Sequence, residues 1–273
     1  MGLPIYLFDI AAYLHRAMYV VYGDKTAETS PDDRRFIEHA CGMLANTMEK
    51  LDVRRMAVVC DSTESSLRCA IYPQYKADRK PHTPVFAAQA PRFFDALRDI
   101  SVAVVHVPCY EADDLIATLN GQEPNTPYVI VSSDKDLLGC LGEWTRYFDP
   151  MKGIEVTRED VVAKFGIKPS EMYDYLGLVG DTSDGIPGVP SIGAKSAAAI
   201  LHDFGTLDDL YDPQRATAFE ESIGKAKRAK LLEYKDQAFL SRQLARPWLC
   251  KELALTGDAF NAPPPSAVRS ALS

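Results

Sequence analysis

Pro127-Tyr-Val-Ile-Val-Ser-Ser-Asp134 is a short apolar run that ends in a carboxylate, and the chain repeats this arrangement. Pro4-Ile-Tyr-Leu-Phe-Asp9 and Met56-Ala-Val-Val-Cys-Asp61 follow the same form, and Val102-Ala-Val-Val-His-Val-Pro108 leads within three residues to Glu111. Unbroken apolar runs of this length read as strands covered on both faces, the habit of a parallel sheet. Helix-like stretches at about 33–51, about 85–99 and 111–120 lie between them. Such alternation predicts a doubly wound α/β domain: a mostly parallel central sheet flanked by helices. In such sheets function gathers at the carboxyl ends of the strands, where these acids fall.

Working outward, the acids form short clusters: Glu111-Ala-Asp113-Asp114, Asp134-Lys-Asp136 and Asp181-Thr-Ser-Asp184, joined by the single acids Asp9 and Asp61. Hard divalent cations need several oxygen donors at one point, and acids so placed are good candidates for that task. For each acid alone a structural reading competes. A lone strand-end Asp such as Asp9 is commonly a turn former, Asp184 could cap the following turn, and Asp114 could favour a helix N-terminus. Directly after the last cluster comes Gly185-Ile-Pro-Gly188-Val-Pro-Ser-Ile-Gly193-Ala-Lys195-Ser196, a glycine-rich turn whose backbone can approach phosphate. Acid clusters and phosphate turn together point to a metal-dependent enzyme acting on nucleic-acid backbone.

From about residue 158 the strand pattern fades. Thr157-Arg-Glu-Asp160 through Gly166 has a capping Thr, early acids and a terminal Gly. Further helices are predicted from Pro169 toward Leu178, over Ser196–Phe204 and over about 218–243. Expected domains are therefore an α/β core over 1–157, a helical region over 158–258, and a poorly ordered tail over 259–273 that contains Ala262-Pro-Pro-Pro. Tyr72-Pro-Gln-Tyr75-Lys76-Ala-Asp-Arg79-Lys80 interrupts the α/β rhythm as an exposed loop or short helices, with a plain solvated crossover as the alternative.

The composition is that of ordinary soluble globular material: 273 residues, 47% apolar and 25% charged. No apolar run approaches the roughly 18 residues that a membrane helix needs, and Met1-Gly-Leu-Pro lacks a basic secretory region. The six cysteines are scattered without a C-x-x-C pair and read as reduced thiols of a cytoplasmic protein. His15, His39, His82, His106 and His202 show no metal-like spacing. A net charge of −8 argues at first against DNA, which demands Lys and Arg at its phosphates. The average conceals clustering: Arg68, Lys76, Arg79 and Lys80, then Lys195, then Lys225, Lys227, Arg228 and Lys230, a basic rim for an acidic pit.

In order and spacing these pieces resemble the 5′-nuclease superfamily, the flap endonucleases and 5′→3′ exonucleases, including the N-terminal nuclease domain of bacterial DNA polymerase I. The matching residues are Leu7-Phe-Asp9 with Arg16, Val58-Val-Cys-Asp61, Tyr75-Lys76-Ala-Asp-Arg79, Glu111-Ala-Asp-Asp-Leu, Val129 through Asp136, and Gly180 through Ser196. The resemblance covers roughly residues 3–255. It implies a PIN-like nuclease core, a helical arch at about 68–98, and a helix–three-turn–helix element that grips duplex DNA. It also implies a monomer that hydrolyses DNA with 5′ flaps, ends or junctions in replication and repair. A stand-alone enzyme is expected; a piece of a longer polymerase is the alternative. A PIN-like ribonuclease would lack the arch motif and the duplex-gripping turn, and an inactive branched-DNA-binding protein would lack acids. The chain departs from the family at Ile10 and Ala11, at Gly185 where Asn is frequent, and at Ser191 in place of a turn glycine.

Phosphodiester hydrolysis needs an attacking water, charge stabilisation at phosphorus and a stabilised leaving oxygen, and two divalent ions about 4 Å apart can serve all three. The resemblance implies two Mg²⁺ or Mn²⁺ ions: Asp9, Asp61, Glu111 and Asp113 at the first, Asp134, Asp136, Asp181 and Asp184 at the second, with Asp114 supporting either. It makes Lys76 and Arg79 contacts to the scissile phosphate, and Tyr75 a face on which an unpaired base stacks. Arg16 and Arg68 would hold phosphates, with pairing to nearby acids as the alternative. Gly188, Gly193, Lys195 and Ser196 would bind DNA, and the main chain of Val189 and Ile192 would hold K⁺.

Overall fold

Each strand of the sheet can be traced to one of the apolar runs, with two additions. The structure, a computed structural model, describes residues 2–215 and 223–272. Its sheet has six strands in the order β3-β2-β1-β4-β5-β6: β1 Ile5–Asp9, β2 Arg55–Val59, β3 Ala103–Val105, β4 Tyr128–Val131, β5 Thr145–Asp149 and β6 Ile154–Val156. The first five pair in parallel, and β6 returns antiparallel to β5. After β3 the chain crosses back to the other side of β1, so the strand order reverses between β1 and β4. A crevice opens at such a reversal, beyond the carboxyl ends of the strands.

All five residues of β1 are buried. Their alternation divides them between two cores. Tyr6 and Phe8 join Tyr13, Phe36, Leu44 and Phe93 on one face, while Ile5 and Leu7 join Leu115, Ile130, Leu176 and Leu201 on the other. The first face is covered by α1 (Ala11–Tyr22), α2 (Arg35–Leu51) and α4 (Pro84–Asp99). In α2 the buried set Phe36, Ile37, Ala40, Cys41, Leu44, Ala45 and Met48 follows the three-and-four spacing of one helix face. The second face takes α5 (Ala112–Leu119) and the later helices, among them α6 (Arg158–Phe165), α7 (Met172–Val179) and α8 (Ala194–Phe204). Thr157 and Asp160 form the reciprocal cap of α6, and Gly166 ends it in the left-handed region at φ 73°. Among the described residues no helix is long and apolar enough to cross a membrane.

Four expectations need correction. Strands β5 and β6 were not anticipated, because the turn between β4 and β5 is a short 3-10 segment, Asp136–Cys140, rather than a crossover helix. The arch expected at about 68–98 is narrower. Val85, Phe86, Ala90, Phe93 and Leu97 of α4 are buried in the core, so only α3 (Leu67–Ile71) and residues 72–83 leave the sheet. The helix expected over about 218–243 is two helices, Lys225–Glu233 and Lys235–Ala245, and its first part, 218–222, lies outside the described residues. Finally, the tail is packed rather than poorly ordered. Phe260 and Val268 are fully buried, Ala262 N–H donates to the Arg54 carbonyl at 3.0 Å, Pro265–Arg269 is helical, and Arg269 pairs with Glu49 at 3.0 Å. Two apolar anchors and prolines with preset φ make ordering this segment cheap.

Candidate active site

The acids converge on the crevice by local capping and turn chemistry. Asp9, at the end of β1, accepts from Ala11 N–H at 3.2 Å and from the Ser132 hydroxyl at 2.7 Å, which ties β1 to the end of β4. Asp61, just past β2, accepts from Ala112 N–H at 2.8 Å and so caps α5 from a separate segment. Glu111 is the N-cap residue of α5, and Asp113 and Asp114 lie in its first turn. Past β4, Asp134 accepts from Asp136 N–H at 2.9 Å, and the Tyr147 hydroxyl donates to the Asp134 carbonyl at 2.8 Å. Asp181 accepts from Ser183 N–H at 2.8 Å and is paired with Lys135. Asp184 pairs with Arg79 at 2.6 Å, and its carbonyl accepts from Lys76 N–H at 2.9 Å.

Charge repulsion shows that most of these acids share one neighbourhood. Burial, then the charges of Asp61 and Asp134, push Asp9 up to about 7. Burial followed by Asp134, Asp9 and Asp61 raises Asp113 well above the usual carboxylate range. Asp134 is raised by burial and by Asp184, and Asp136 is pushed up to about 7 by burial and by Asp134. Two acids go the other way. Burial would raise Glu111 and Asp181, but Lys76 and Arg68 lower the first, and Lys135 and Ser183 lower the second.

Among the described residues, no three His, Cys, Asp or Glu side chains stand in ready-made coordination geometry. Glu111 is held by Lys76 at 2.8 Å, Asp184 by Arg79, and Asp181 by Lys135. The donor set nevertheless fits a hard divalent cation. It is all oxygen and anionic, its members repel one another, and Asp136 Oδ1 is buried without any hydrogen-bond partner. A bound cation would satisfy that oxygen.

Several expected site residues have other duties. Asp114 does not join the cluster. It accepts from Arg68 at 2.8 and 2.6 Å, from Glu111 N–H at 3.0 Å and from Trp248 N–H at 2.7 Å, which uses its lone pairs. Arg68 is correspondingly no phosphate holder. It is 2% exposed and also donates to the carbonyls of Leu244 and Arg246. Tyr75 offers no stacking face either: the residue is 4% exposed, and its hydroxyl donates to Glu111 at 2.8 Å. Gly188 is enclosed rather than open to DNA. Its N–H donates to Ser241 at 3.0 Å, its carbonyl accepts from Gln237 at 2.7 Å, and a Cβ there would lie 2.5 Å from the Val179 carbonyl carbon.

Other positions stay available. Lys76 and Arg79, with Asp61 and Glu111, line a cavity of about 500 Å³ beside the acids. Arg16 on α1 and Lys195 at the start of α8 are exposed, Gly193 is the N-cap residue of α8, and Ser196 is half-buried. The Val189 carbonyl accepts from Ile192 N–H at 3.0 Å. Two departures from the family pattern fall where the backbone favours glycine, and only the one at Gly185 is thereby explained. Ser191 keeps a left-handed φ of 69° despite its side chain, and a Cβ on Gly185 would meet the Gln74 carbonyl at 2.7 Å. Ser132, Lys135 and Tyr147 were missed. The first two lie inside the quoted motif, whereas Tyr147 acts through a contact that no local pattern announces.

The chain matches two family profiles end to end: the 5′-3′ exonuclease N-terminal resolvase-like domain over residues 4–166, and the 5′-3′ exonuclease C-terminal SAM fold over 167–265. A 5′-3′ exonuclease of Buchnera aphidicola (from Acyrthosiphon pisum) is 27% identical over 254 residues, covering 89% of this chain and 86% of that protein. DNA polymerase I of Rhizobium leguminosarum is 31% identical across 90% of this chain, which spans only 24% of that longer protein. In fold, the chain is similar to T5 5′-exonuclease with divalent metal ions (zinc) bound, at TM-score 0.70, 19% identity and 89% coverage of each chain. It is also similar to the catalytic core of Rad2 in complex with DNA substrate, at TM-score 0.62 and 14% identity, covering 99% of this chain and 87% of that one.

Proposed function

The chain belongs to the 5′-3′ exonuclease family, and from that premise we infer that its gathered acids hydrolyse DNA phosphodiesters with the help of two divalent ions. It is a metal-dependent nuclease, a 5′-3′ exonuclease or flap endonuclease, and its partner is DNA. The finer reading is ours: Mg²⁺ or Mn²⁺ at the acids, a 5′ flap, end or junction as substrate, K⁺ at the Val189 and Ile192 main chain, and a cytoplasmic monomer at work in replication and repair. One observation carries it. Acids from separate segments, ending β1, β2 and β4, opening α5 and preceding the glycine turn, share one electrostatic neighbourhood beneath the segment that bears Lys76 and Arg79.

Asp9, Asp61, Glu111 and Asp113 would hold one ion, and Asp134, Asp136, Asp181 and Asp184 the other. Bound there, divalent ions supply Lewis acidity at the attacking water and at the leaving oxygen. The protein does the rest. Ser132 and the α5 cap orient Asp9 and Asp61, and Tyr75 steadies Glu111. Lys76 and Arg79 draw in the scissile phosphate and offset the charge that develops on it, exchanging their present carboxylate partners for phosphate oxygens. Arg16, Gly193, Lys195 and Ser196 hold the duplex by its phosphates, which fixes register without reading sequence.

A 5′-labelled flap duplex incubated with Mg²⁺, Mn²⁺ or EDTA tests this reading. Cutting near the branch is expected with either metal, and Lys76→Ala lowers turnover by roughly 10²- to 10³-fold. Equal cutting in EDTA would overturn the metal mechanism, and unchanged turnover in Lys76→Ala would remove that residue's role.

A further inference from the structure

Lys135 stands between two site acids in sequence, Asp134 and Asp136. Its ammonium contacts Asp181 Oδ2 and lies 4.0 Å from Asp136 Oδ1, the buried oxygen without a hydrogen-bond partner. The Asp181 side chain is 7% exposed, whereas that of Lys135 is 40% exposed. The cation therefore reaches inward from the rim to a carboxylate that has little water of its own. Asp181 Oδ1 is occupied by the N–H and hydroxyl of Ser183, so Oδ2 is the oxygen left for an ion, and Lys135 covers it.

The position is imposed by the backbone. Lys135 is the N-cap residue of the 3-10 turn Asp136–Cys140, held helically at φ −66° and ψ −24°. Asp134 accepts from Asp136 N–H across it, and Tyr147 fixes the Asp134 carbonyl. Asp134 and Asp136 are thus pinned by the turn, while the long Lys135 side chain between them is 40% exposed and held by its ion pair with Asp181. A half-exposed, long-stemmed cation on an acidic turn makes an exchangeable counter-ion.

We propose that Lys135 is a built-in counter-ion for Asp181 that a divalent ion must displace, so that it sets the metal affinity of the Asp134–Asp136–Asp181 group and keeps the acids folded in the metal-free protein. This deepens the metal reading above and rests on it. The inference concerns how tightly the ion binds, and Lys135 is a positioning residue rather than a catalytic one. A neutral side chain there removes the competitor. It also leaves a nearly buried carboxylate unpaired when metal is absent, which destabilises that state.

The test is calorimetric titration of the whole protein with Mn²⁺, together with melting in EDTA and in Mn²⁺. The proteins are wild type, Lys135→Met, Asp181→Asn and the double variant. Lys135→Met should bind Mn²⁺ about fivefold more tightly, the scale of a modest, half-exposed ion pair. It should melt lower than wild type in EDTA and gain more from Mn²⁺. In the Asp181→Asn background the same substitution should change affinity by less than twofold. An unchanged affinity in Lys135→Met overturns the proposal. So does an equal gain in both backgrounds, since Lys135 would then act through the general field of the site. Wild type that binds no Mn²⁺ at all overturns the metal reading itself, which separates the two failures.

Discussion

The carboxylates of the helical region and those of the crevice live under opposite conditions. Toward the helical region, Asp114 is answered by Arg68 and Trp248, while Asp174 and Asp208 are answered by Arg242. Toward the crevice, Asp9, Asp113, Asp134 and Asp136 face one another, and burial and mutual repulsion raise each of them. Asp113 and Asp114 are neighbours in the chain and fall on different sides of this divide. An acid that folding has satisfied is part of the scaffold. An acid that folding has left short of partners is held for a ligand, at a cost in stability that an active site can bear.

The comparison can be broken most forcefully at Asp134. Asp134→Ala should lower the single-turnover cleavage rate by roughly 10³-fold or more, since a missing ion or misplaced water costs several kcal/mol and each 1.4 kcal/mol is about a factor of ten. In EDTA, Asp134→Asn, which keeps an acceptor for Asp136 N–H and removes one repelling charge, should melt no lower than wild type. A clear loss of metal-free stability would place Asp134 in the scaffold.

Arg68→Ala is the opposite case. It strands Asp114, whose residue is 1% exposed, and should destabilise the protein by about 3–5 kcal/mol, read from urea midpoints. If its stability held while DNA affinity fell, Arg68 would be a phosphate contact after all.

The comparison is sharpened further by a pH dependence of the metal-free protein. Asp9 and Asp136 keep their protons to about pH 7 in the folded state, against 3.8 for the ordinary group. The folded state then binds more protons than the unfolded one between about pH 4 and 7. Stability is full below that window, declines as pH rises through it, and levels off above it. Each group contributes a slope no steeper than about 1.4 kcal/mol per pH unit. Urea midpoints in EDTA should fall across this range, with a shallower fall for Asp9→Asn. A rise with pH would show that these acids are well solvated or paired.

Much of the fold was legible because its cues are local. Four apolar runs became β1 to β4, and Thr157, Asp160 and Gly166 bounded a helix as their chemistry dictates. The crevice acids were legible for a related reason: strand ends and helix starts face the same edge of a parallel sheet. Failures came where one residue's duty depends on a distant partner. Tyr75, an aromatic beside basic residues, read as a stacking face until Glu111 and the core claimed it. Gly188 belonged by position to a phosphate turn, yet Gly180, Ser241 and Gln237 enclose it. The proline-rich tail read as disordered because two buried side chains, Phe260 and Val268, carry its order.

By itself, then, the order of residues determined the strands, the caps and the positions at which acids would gather, since hydrophobic period and turn chemistry operate over a few residues. Only the tertiary structure decided which acid receives a cation. Arg68 lies 46 positions from Asp114 and Lys135 lies 46 from Asp181, and Coulomb attraction depends on distance in space, which the chain acquires only by folding.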